Sequence, residues 1–149
     1  MKERRSILFV CTGNICRSPT AEGVFKRLCK EKGIELRVES AGIGDWHVGD
    51  PPDERAQRHA RTRGYDLSAQ RARQVTARDF EEFDMILAMD RGHLQALRRM
   101  APAHHHAKIR LFVADRDVPD PYYGGAAGFE RVLDLVEERC RALLDEIIS

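Results

Sequence analysis

The sequence predicts an α/β fold in which a doubly wound sheet of about four parallel strands carries helices on both faces. Short apolar runs alternate with longer helical patterns along the chain, and this alternation is typical of parallel sheets. With 149 residues, 42% of them hydrophobic and 33% charged, the chain has the size and composition of one soluble globular domain, residues 1–149. No apolar run approaches the roughly 20 residues that a membrane span needs, so we expect no membrane partner.

Four segments have the pattern of β-strands. Residues 7–10 and 85–89 are continuous apolar runs, as expected of central strands that are buried on both faces. Residues 35–40 alternate apolar and charged side chains, which indicates a strand that is half covered or at an edge of the sheet. Residues 109–113 supply the last strand.

Capping residues mark the first two helices. Ser18 is a favoured N-cap and Pro19 a favoured first helical residue, and Gly33 is a favoured terminator for the same helix. Asp53 can cap a second helix, which Gly64 ends.

Three further helices are predicted in the second half of the chain. Residues 76–79 have the pattern of a helix cap and start a short helix that reaches residue 83. Residues 90–100 form a fourth helix. The C-terminal helix has the clearest signal, because apolar residues recur in it at three- and four-residue steps: Phe129, Val132, Leu133, Val136, Cys140, Leu143, Leu144 and Ile147. This order of strands and helices predicts a flavodoxin-like arrangement.

The first strand leads directly into a Cys-x5-Arg loop, Cys11 to Arg17, which we predict holds a phosphate over a cysteine thiolate. Successive backbone N–H groups can form a nest around an anion, and the following helix adds its positive N-terminal end. Arg17 supplies a planar fork that grips two oxygens of an oxyanion. This positive field favours the thiolate form of Cys11, which makes it a nucleophile. The other predicted phosphate-binding residues are Thr12, Gly13, Asn14, Ile15, Cys16 and Ser18.

A second loop supplies the acid that such chemistry needs. The Cys-x5-Arg loop leaves the C-terminal end of a strand, where parallel sheets bind ligands. Removal of a phosphate by a thiolate also requires an acid for the leaving group. Asp120 is the candidate, because Pro119 and Pro121 stiffen its backbone and present its carboxylate at low entropic cost. We interpret Asp115 and Asp117 as solvated loop charges.

The string Val-Cys-Thr-Gly-Asn-Ile-Cys-Arg-Ser-Pro at residues 10–19 resembles the signature of the low-molecular-weight protein tyrosine phosphatase family, and Asp-Pro-Tyr-Tyr at residues 120–123 resembles the family's general-acid loop. The resemblance implies hydrolysis of protein phosphotyrosine in two steps. Cys11 attacks phosphorus while Asp120 protonates the departing phenolate, and Asp120 then activates water against the cysteinyl-phosphate. Arg17 and the loop amides hold the phosphate oxygens in both steps, so neither a metal nor another cofactor is required.

Supporting residues surround this loop. Ser18 can donate a hydrogen bond to the thiolate, and Asn14 is expected to tie the loop together and to adopt a left-handed backbone. The resemblance implies that Ser40 braces Asn14. The family commonly places a histidine in this brace, and Gln70 occupies the matching position here.

Three aromatic residues, Trp46, Tyr122 and Tyr123, lie on two loops that the fold brings to the rim of the site. We predict that they wall a deep slot that admits a phenyl ring, a role that the resemblance favours. A phosphoserine would be too short to reach Cys11 through such a slot.

Four cysteines, at positions 11, 16, 29 and 140, occur without a secretion signal. Free thiols in a reducing compartment follow, so we expect a cytoplasmic protein. The resemblance implies that Cys16 forms a reversible disulfide with Cys11 under oxidation and so protects the nucleophile. Three consecutive histidines at residues 104–106 have no spaced partner ligands, and we predict no metal site there.

Charge and resemblance indicate the partners. A formal net charge of +1 gives no reason to expect nucleic-acid binding. The resemblance implies a phosphotyrosine-containing protein as partner, such as a bacterial tyrosine kinase or one of its substrates. We expect a monomer.

Two alternative activities share this loop. Protein-arginine phosphatases are similar, but they have a threonine after the loop asparagine, where Ile15 stands here, and fewer aromatic residues on the acid loop. Thioredoxin-coupled arsenate reductases share the fold and the loop, but they need two further redox cysteines, and residues 81–119 contain none. Phosphotyrosine is therefore the preferred substrate, with protein-arginine phosphatase activity as the first alternative.

Overall fold

Four parallel strands form one sheet in the computed structural model, which describes residues 6–122 and 124–148. The strands are β1 (Ser6–Cys11), β2 (Arg37–Gly42), β3 (Met85–Ala88) and β4 (Ile109–Leu111). Their order across the sheet is β2-β1-β3-β4, and every neighbouring pair is parallel. The predicted sheet of about four parallel strands is confirmed, with β1 and β3 in the middle.

Helices cover both faces of this sheet. They are α1 (Arg17–Lys32), α2 (Glu54–Thr62), α3 (Ala77–Glu82), α4 (Arg91–Met100) and α5 (Ala126–Ile148). Alternation along β1 explains the two layers, because successive side chains of a strand point to opposite faces. Ile7 and Phe9 belong to the core that α1 and α5 cover, whereas Leu8 and Val10 belong to the core that α3 and α4 cover. Among the helices that the structure describes, none is long and apolar enough to cross a membrane.

Helix α1 begins earlier than predicted. Its N-cap is Cys16, whose carbonyl oxygen accepts hydrogen bonds from the N–H and the hydroxyl of Thr20. The prediction that Ser18 is the N-cap is wrong because its hydroxyl is used elsewhere: it lies 3.0 Å from Cys11 Sγ. Ser18 therefore contacts the neighbouring cysteine instead of capping the helix, although its side chain favours N-cap positions.

The other predicted caps agree with the structure. Gly33 ends α1 with a φ of 68°. Asp53 caps α2 by accepting hydrogen bonds from the N–H groups of residues 55 and 56 at 2.8 and 3.2 Å. The Thr76 N–H donates to the Asp79 carboxylate at 2.8 Å where α3 starts.

Two strands end at other residues than predicted, each because of the strand beside it. β2 runs further, to Gly42, because it pairs with β1 as far as Cys11. β4 ends earlier, at Leu111, because its partner β3 ends at Ala88. Residues 103–108, between α4 and β4, form a short 3₁₀ helix that contains the three consecutive histidines.

Phe9 should carry a large share of the stability of the core. It is fully buried, and its ring makes edge-on contacts with the rings of Phe25 and Phe112 at centroid distances of 5.9 and 5.4 Å. We expect Phe9→Ala to lower the free energy of unfolding by about 3–5 kcal/mol, because truncation leaves a cavity among groups that cannot fully collapse. Urea denaturation measures this, with Val48→Ala as the exposed control. Equal effects of the two substitutions would contradict the assignment of the core.

Candidate active site

The Cys-x5-Arg loop joins the C-terminal end of β1 to the first turn of α1. β2 approaches it so closely that a Cβ atom on Gly42 would lie 2.9 Å from the Thr12 carbonyl oxygen. Asn14 has a φ of 60° and is the one non-glycine residue with positive φ among those described, as expected for this loop. The N–H groups of residues 12–16 donate no hydrogen bond within the described part of the chain. They are therefore available to an anion.

The Asn14 side chain holds this loop to its surroundings. Its Nδ2 donates to the hydroxyl oxygens of Ser18 and Ser40 at 2.8 and 2.9 Å. Its Oδ1 accepts the backbone N–H of Arg73 at 3.0 Å. The Ser40 hydroxyl then donates to the Glu22 carboxylate at 2.6 Å. The structure thus brings together Asn14 and Ser40, the two residues that the resemblance implies for the brace, and adds Ser18 to them.

Ser18 lies between Asn14 and the candidate nucleophile. Its oxygen accepts the Asn14 amide hydrogen, which leaves the hydroxyl hydrogen available to Cys11 Sγ, 3.0 Å away. A hydrogen bond of this kind stabilises a thiolate. Cys11 itself is only 3% exposed.

Gln70 lies outside this brace. Its Nε2 donates to the Pro19 carbonyl in the first turn of α1 at 3.0 Å. Its buried Oε1 has no hydrogen-bond partner among the described residues. The Asn14 amide oxygen is instead satisfied by the backbone of Arg73. At the position where the family commonly has a histidine, this chain therefore supports the helix rather than the loop.

Arg17 is buried and held on several sides. Its Nη1 donates to Asp90 Oδ2 at 3.0 Å and to the Val118 carbonyl at 2.9 Å. Its Nη2 donates to Thr12 Oγ1 at 3.2 Å and lies 3.6 Å from Asp120 Oδ2. These contacts preset the guanidinium, so little conformational freedom is lost when an oxyanion binds.

Asp90 and His93 are site residues that the sequence reasoning missed. Burial alone would raise the pKa of Asp90. The His93 N–H and the Arg17 guanidinium have the larger, opposite effect, so the pKa of this carboxyl group lies below its usual range. His93 is buried, and its Nε2 lies 2.7 Å from Thr12 Oγ1. Burial and the nearby Arg17 lower the pKa of His93 to about 4. One signal was available: Asp90 follows the buried strand β3, at the edge of the sheet where sites form.

Asp120 lies across the cavity mouth on the loop before α5. Its Oδ1 accepts the Tyr122 N–H at 3.0 Å, and its side chain is 43% exposed. Arg55 on α2 donates to the Tyr122 carbonyl at 2.9 Å, and its guanidinium carbon lies 4.9 Å from the centre of the Phe129 ring. Helix α2 therefore anchors the loop that carries the acid, a role for Arg55 that the sequence did not indicate.

A cavity of about 440 Å³ lies between the phosphate loop and the loop that carries Asp120. Its lining includes Cys11, Arg17, Asp120, Trp46, His47 and Tyr122, together with the loop residues Thr12, Gly13, Ile15 and Cys16. Trp46 is 70% exposed at the rim, and its ring packs against Gly44. Tyr123, also predicted to form a wall, lies outside the described residues.

His47 is a wall residue that the sequence reasoning missed. Its ring packs so closely on the loop that a Cβ atom on Gly13 would lie 2.8 Å from His47 Cδ2. The ring centre is 6.5 Å from that of Tyr122, with a tilt of 52°. The slot beside Cys11 is thus bounded by an imidazole as well as by larger aromatic rings.

The remaining cysteines are buried thiols. Burial, Asp53 and Cys11 raise the pKa of Cys16, which lines the cavity. Burial alone raises the pKa of Cys29 to about 11. Burial also raises the pKa of Cys140. The described cysteines are all free.

Comparison with known proteins places this architecture. The chain matches the family model described as low molecular weight phosphotyrosine protein phosphatase over residues 6–149. The chain belongs to the low-molecular-weight phosphotyrosine protein phosphatase family. The low molecular weight protein-tyrosine-phosphatase YfkJ of Bacillus subtilis is 45% identical, with 95% of each chain covered. The predicted family is therefore confirmed.

Solved structures of family members have the same fold. A protein tyrosine phosphatase from Entamoeba histolytica superposes with a TM-score of 0.92 at 36% identity, covering 96% of each chain. Wzb from Vibrio vulnificus, in complex with benzylphosphonate, superposes with a TM-score of 0.88 at 33% identity, covering 97% of this chain and 99% of Wzb. Low-molecular-weight phosphatase architecture thus extends over nearly the whole chain, including the segments that carry Cys11, Arg17 and Asp120.

Asn14 allows the backbone and hydrogen-bond contributions of the brace to be separated. We expect Asn14→Ala to lower the free energy of unfolding by roughly 2–4 kcal/mol, because it unpairs buried groups and puts a Cβ residue at positive φ without the local polar support of asparagine. Asn14→Gly removes the same hydrogen bonds but permits the backbone, so it should destabilise less. Urea denaturation gives both values. A larger loss of stability in Asn14→Gly than in Asn14→Ala would show that the positive φ adds nothing to the cost of the alanine substitution.

Proposed function

We propose that this protein hydrolyses phosphotyrosine in proteins through a cysteinyl-phosphate formed on Cys11. The observation that carries the proposal is the grouping of Cys11, Arg17 and Asp120 around one cavity. A thiol, a guanidinium and a carboxyl group are the nucleophile, the oxyanion clamp and the proton donor that this reaction needs.

In the first step the Cys11 thiolate attacks phosphorus and the bond from phosphorus to the phenolic oxygen breaks. Asp120, in its protonated form, gives its proton to that oxygen. Arg17 and the free N–H groups of residues 12–16 hold the equatorial oxygens. The Ser18 hydroxyl supports the sulfur as nucleophile.

In the second step the Asp120 carboxylate takes a proton from water, and the resulting hydroxide attacks phosphorus. The bond from phosphorus to sulfur breaks, which releases inorganic phosphate and restores the Cys11 thiolate. Positive charge for both steps comes from Arg17, the loop amides and the N-terminus of α1, so the scheme includes no metal or other cofactor.

Depth and wall chemistry support an aryl phosphate as substrate. Cys11 is nearly buried beneath a rim formed by Trp46, His47 and Tyr122. A flat ring fits between such walls and carries its phosphate to the sulfur, whereas a serine phosphate has a shorter reach. Benzylphosphonate, the ligand of the related Wzb, likewise joins an aromatic ring to a phosphorus oxyacid.

Phosphotyrosine proteins are the corresponding partners, with a bacterial tyrosine kinase or its substrates as the specific candidates. A monomeric, cytoplasmic, single-domain enzyme is consistent with this role. The family's activity on phosphotyrosine and the cysteine usage of this chain support the assignment.

Turnover of phosphotyrosine, phosphoarginine and phosphoserine peptides tests the substrate. We expect phosphotyrosine to be hydrolysed with the highest kcat/KM. Cys11→Ser should abolish turnover, and Asp120→Ala should lower kcat by about 10²- to 10⁴-fold on substrates with poor leaving groups. Substrates with good leaving groups should lose less, because they need no proton from Asp120.

Asp117→Ala is the matched control, since Asp117 is a carboxylate on the same loop that pairs with Arg91 at the surface. It should leave kcat unchanged. Near-normal activity of Cys11→Ser would overturn the mechanism. Preference for phosphoarginine, or arsenate reduction with thioredoxin, would replace the substrate assignment with one of the two alternatives.

Cys16 gives the site a protective reaction under oxidation. A peroxide oxidises the Cys11 thiolate to a sulfenic acid, and the Cys16 sulfur then displaces the hydroxyl group as water to form a disulfide. Two thiols of an added reductant reverse the reaction. Burial raises the pKa of Cys16 and keeps it a thiol, so it gives its proton to the departing hydroxyl group as the disulfide forms.

We expect Cys16→Ser to recover less activity than the wild type when hydrogen peroxide is followed by dithiothreitol, because its sulfenic acid is oxidised further. Cys29→Ser, which removes a buried thiol from the far end of α1, is the control and should recover fully. Equal recovery of all three proteins would refute the protective role.

A further inference from the structure

His93 lies behind the phosphate loop rather than in the cavity. It occupies the first turn of α4 and is 6% exposed. Its backbone N–H donates to Asp90 Oδ1 at 2.9 Å, and its Nε2 lies 2.7 Å from Thr12 Oγ1. The cavity lining includes Thr12 and Arg17 but not His93. Any effect of His93 on bound phosphate must therefore pass through those two residues.

We propose that His93 is a positioning residue, which fixes the Thr12 hydroxyl and through it the Arg17 guanidinium in the orientation that grips phosphate. This inference rests on the proposed function of the site. It concerns a ring of contacts that runs from Arg17 to Thr12, on to His93 and Asp90, and back to Arg17.

The donors and acceptors in this ring of contacts determine the tautomer of His93. Thr12 Oγ1 accepts a hydrogen from Arg17 Nη2, which leaves its own hydrogen to be donated to His93 Nε2. The His93 proton then resides on Nδ1, which lies 3.3 Å from Asp90 Oδ1 without forming an aligned hydrogen bond. The opposite tautomer would set a nitrogen lone pair against a carboxylate. The geometry therefore favours the Nδ1–H form.

Charge favours the same neutral form. Burial and the Arg17 guanidinium act against a proton on His93, while the carboxylates of Asp90, Asp117 and Asp120 favour one, and the resulting pKa is about 4. At neutral pH the His93 imidazole therefore accepts a hydrogen bond at Nε2, and the Thr12 hydroxyl donates it.

The neutral His93 affects one nitrogen of Arg17, Nη2, through the Thr12 hydroxyl. Nη1 is fixed by Asp90 and by the Val118 carbonyl. Among the described residues, Nη2 has Thr12 Oγ1 at 3.2 Å and the half-exposed Asp120 at 3.6 Å as its partners. When His93 takes the Thr12 hydrogen, the hydroxyl must turn a lone pair toward Nη2. Without His93 the hydroxyl is free to rotate, and the clamp loses its fixed partner.

Binding of inorganic phosphate, measured by calorimetry on the full chain, tests the inference without requiring turnover. We expect His93→Leu and Thr12→Val each to weaken phosphate binding by about tenfold, the worth of one hydrogen bond to a charged network. The double variant should be little weaker than either single variant, because both remove the same link. His93→Gln, whose amide can reach Thr12, should restore most of the affinity.

Leu97→Ala is the matched structural control, since Leu97 is a fully buried residue of the same helix that belongs to the core and does not line the cavity. It should lower the melting temperature but leave phosphate affinity unchanged. Additive losses in the double variant, or a phosphate affinity in His93→Leu and His93→Gln equal to that of the wild type, would overturn the inference. Should His93→Leu fail to fold, His93→Ala, which also removes the imidazole, takes its place in the same comparison with Thr12→Val and the double variant. If the predicted affinities are found but phosphotyrosine is not hydrolysed, the proposed function fails and the positioning role stands.

Discussion

The buried side-chain amide of Asn14 holds the phosphate loop in its conformation. It links three segments that are distant in sequence: the start of α1 through Ser18, the end of β2 through Ser40, and the chain before α3 through the Arg73 backbone. Each partner would be costly to leave unpaired, because buried polar groups without hydrogen bonds destabilise a fold by about 1–3 kcal/mol each. The left-handed turn at Asn14 is held by these contacts, and the free N–H groups of the loop follow from it.

The two charged groups that face the cavity are held very differently. Arg17 is 4% exposed and is tied to Asp90 and Val118, so it is preset before an oxyanion arrives. Asp120 is 43% exposed, on a loop that Arg55 anchors through a neighbouring carbonyl. This division suits the proposed chemistry, because the clamp acts on the same oxygens in both steps, whereas the acid must exchange its proton between a leaving group and water.

The sequence predicts what is local in the chain and misses what the fold brings together. The loop from Cys11 to Arg17 could be predicted because strand, nucleophile, anion nest and helix follow one another directly. For Asp90 the one signal is its place after a buried strand, because its contact with Arg17 spans 73 positions of sequence. Nothing local marks His93, which lies within an ordinary helix start. The sequence offers two roles for Ser18, and the local one, suggested by capping propensity, is wrong, whereas its hydroxyl lies 3.0 Å from the buried sulfur as the second role requires.

The brace around Asn14 is complete without an imidazole. The Asn14 amide oxygen is paired with the Arg73 backbone N–H, and Gln70 donates to the Pro19 carbonyl instead. A backbone donor does not titrate, so the hydrogen bonds made by Asn14 itself are neutral. Ionisable groups lie one hydrogen bond further from Asn14, where Glu22 accepts the Ser40 hydroxyl and pairs with Lys26. The direct partners of Asn14 are thus uncharged, whereas on its Thr12 side the loop contacts a titratable group, His93.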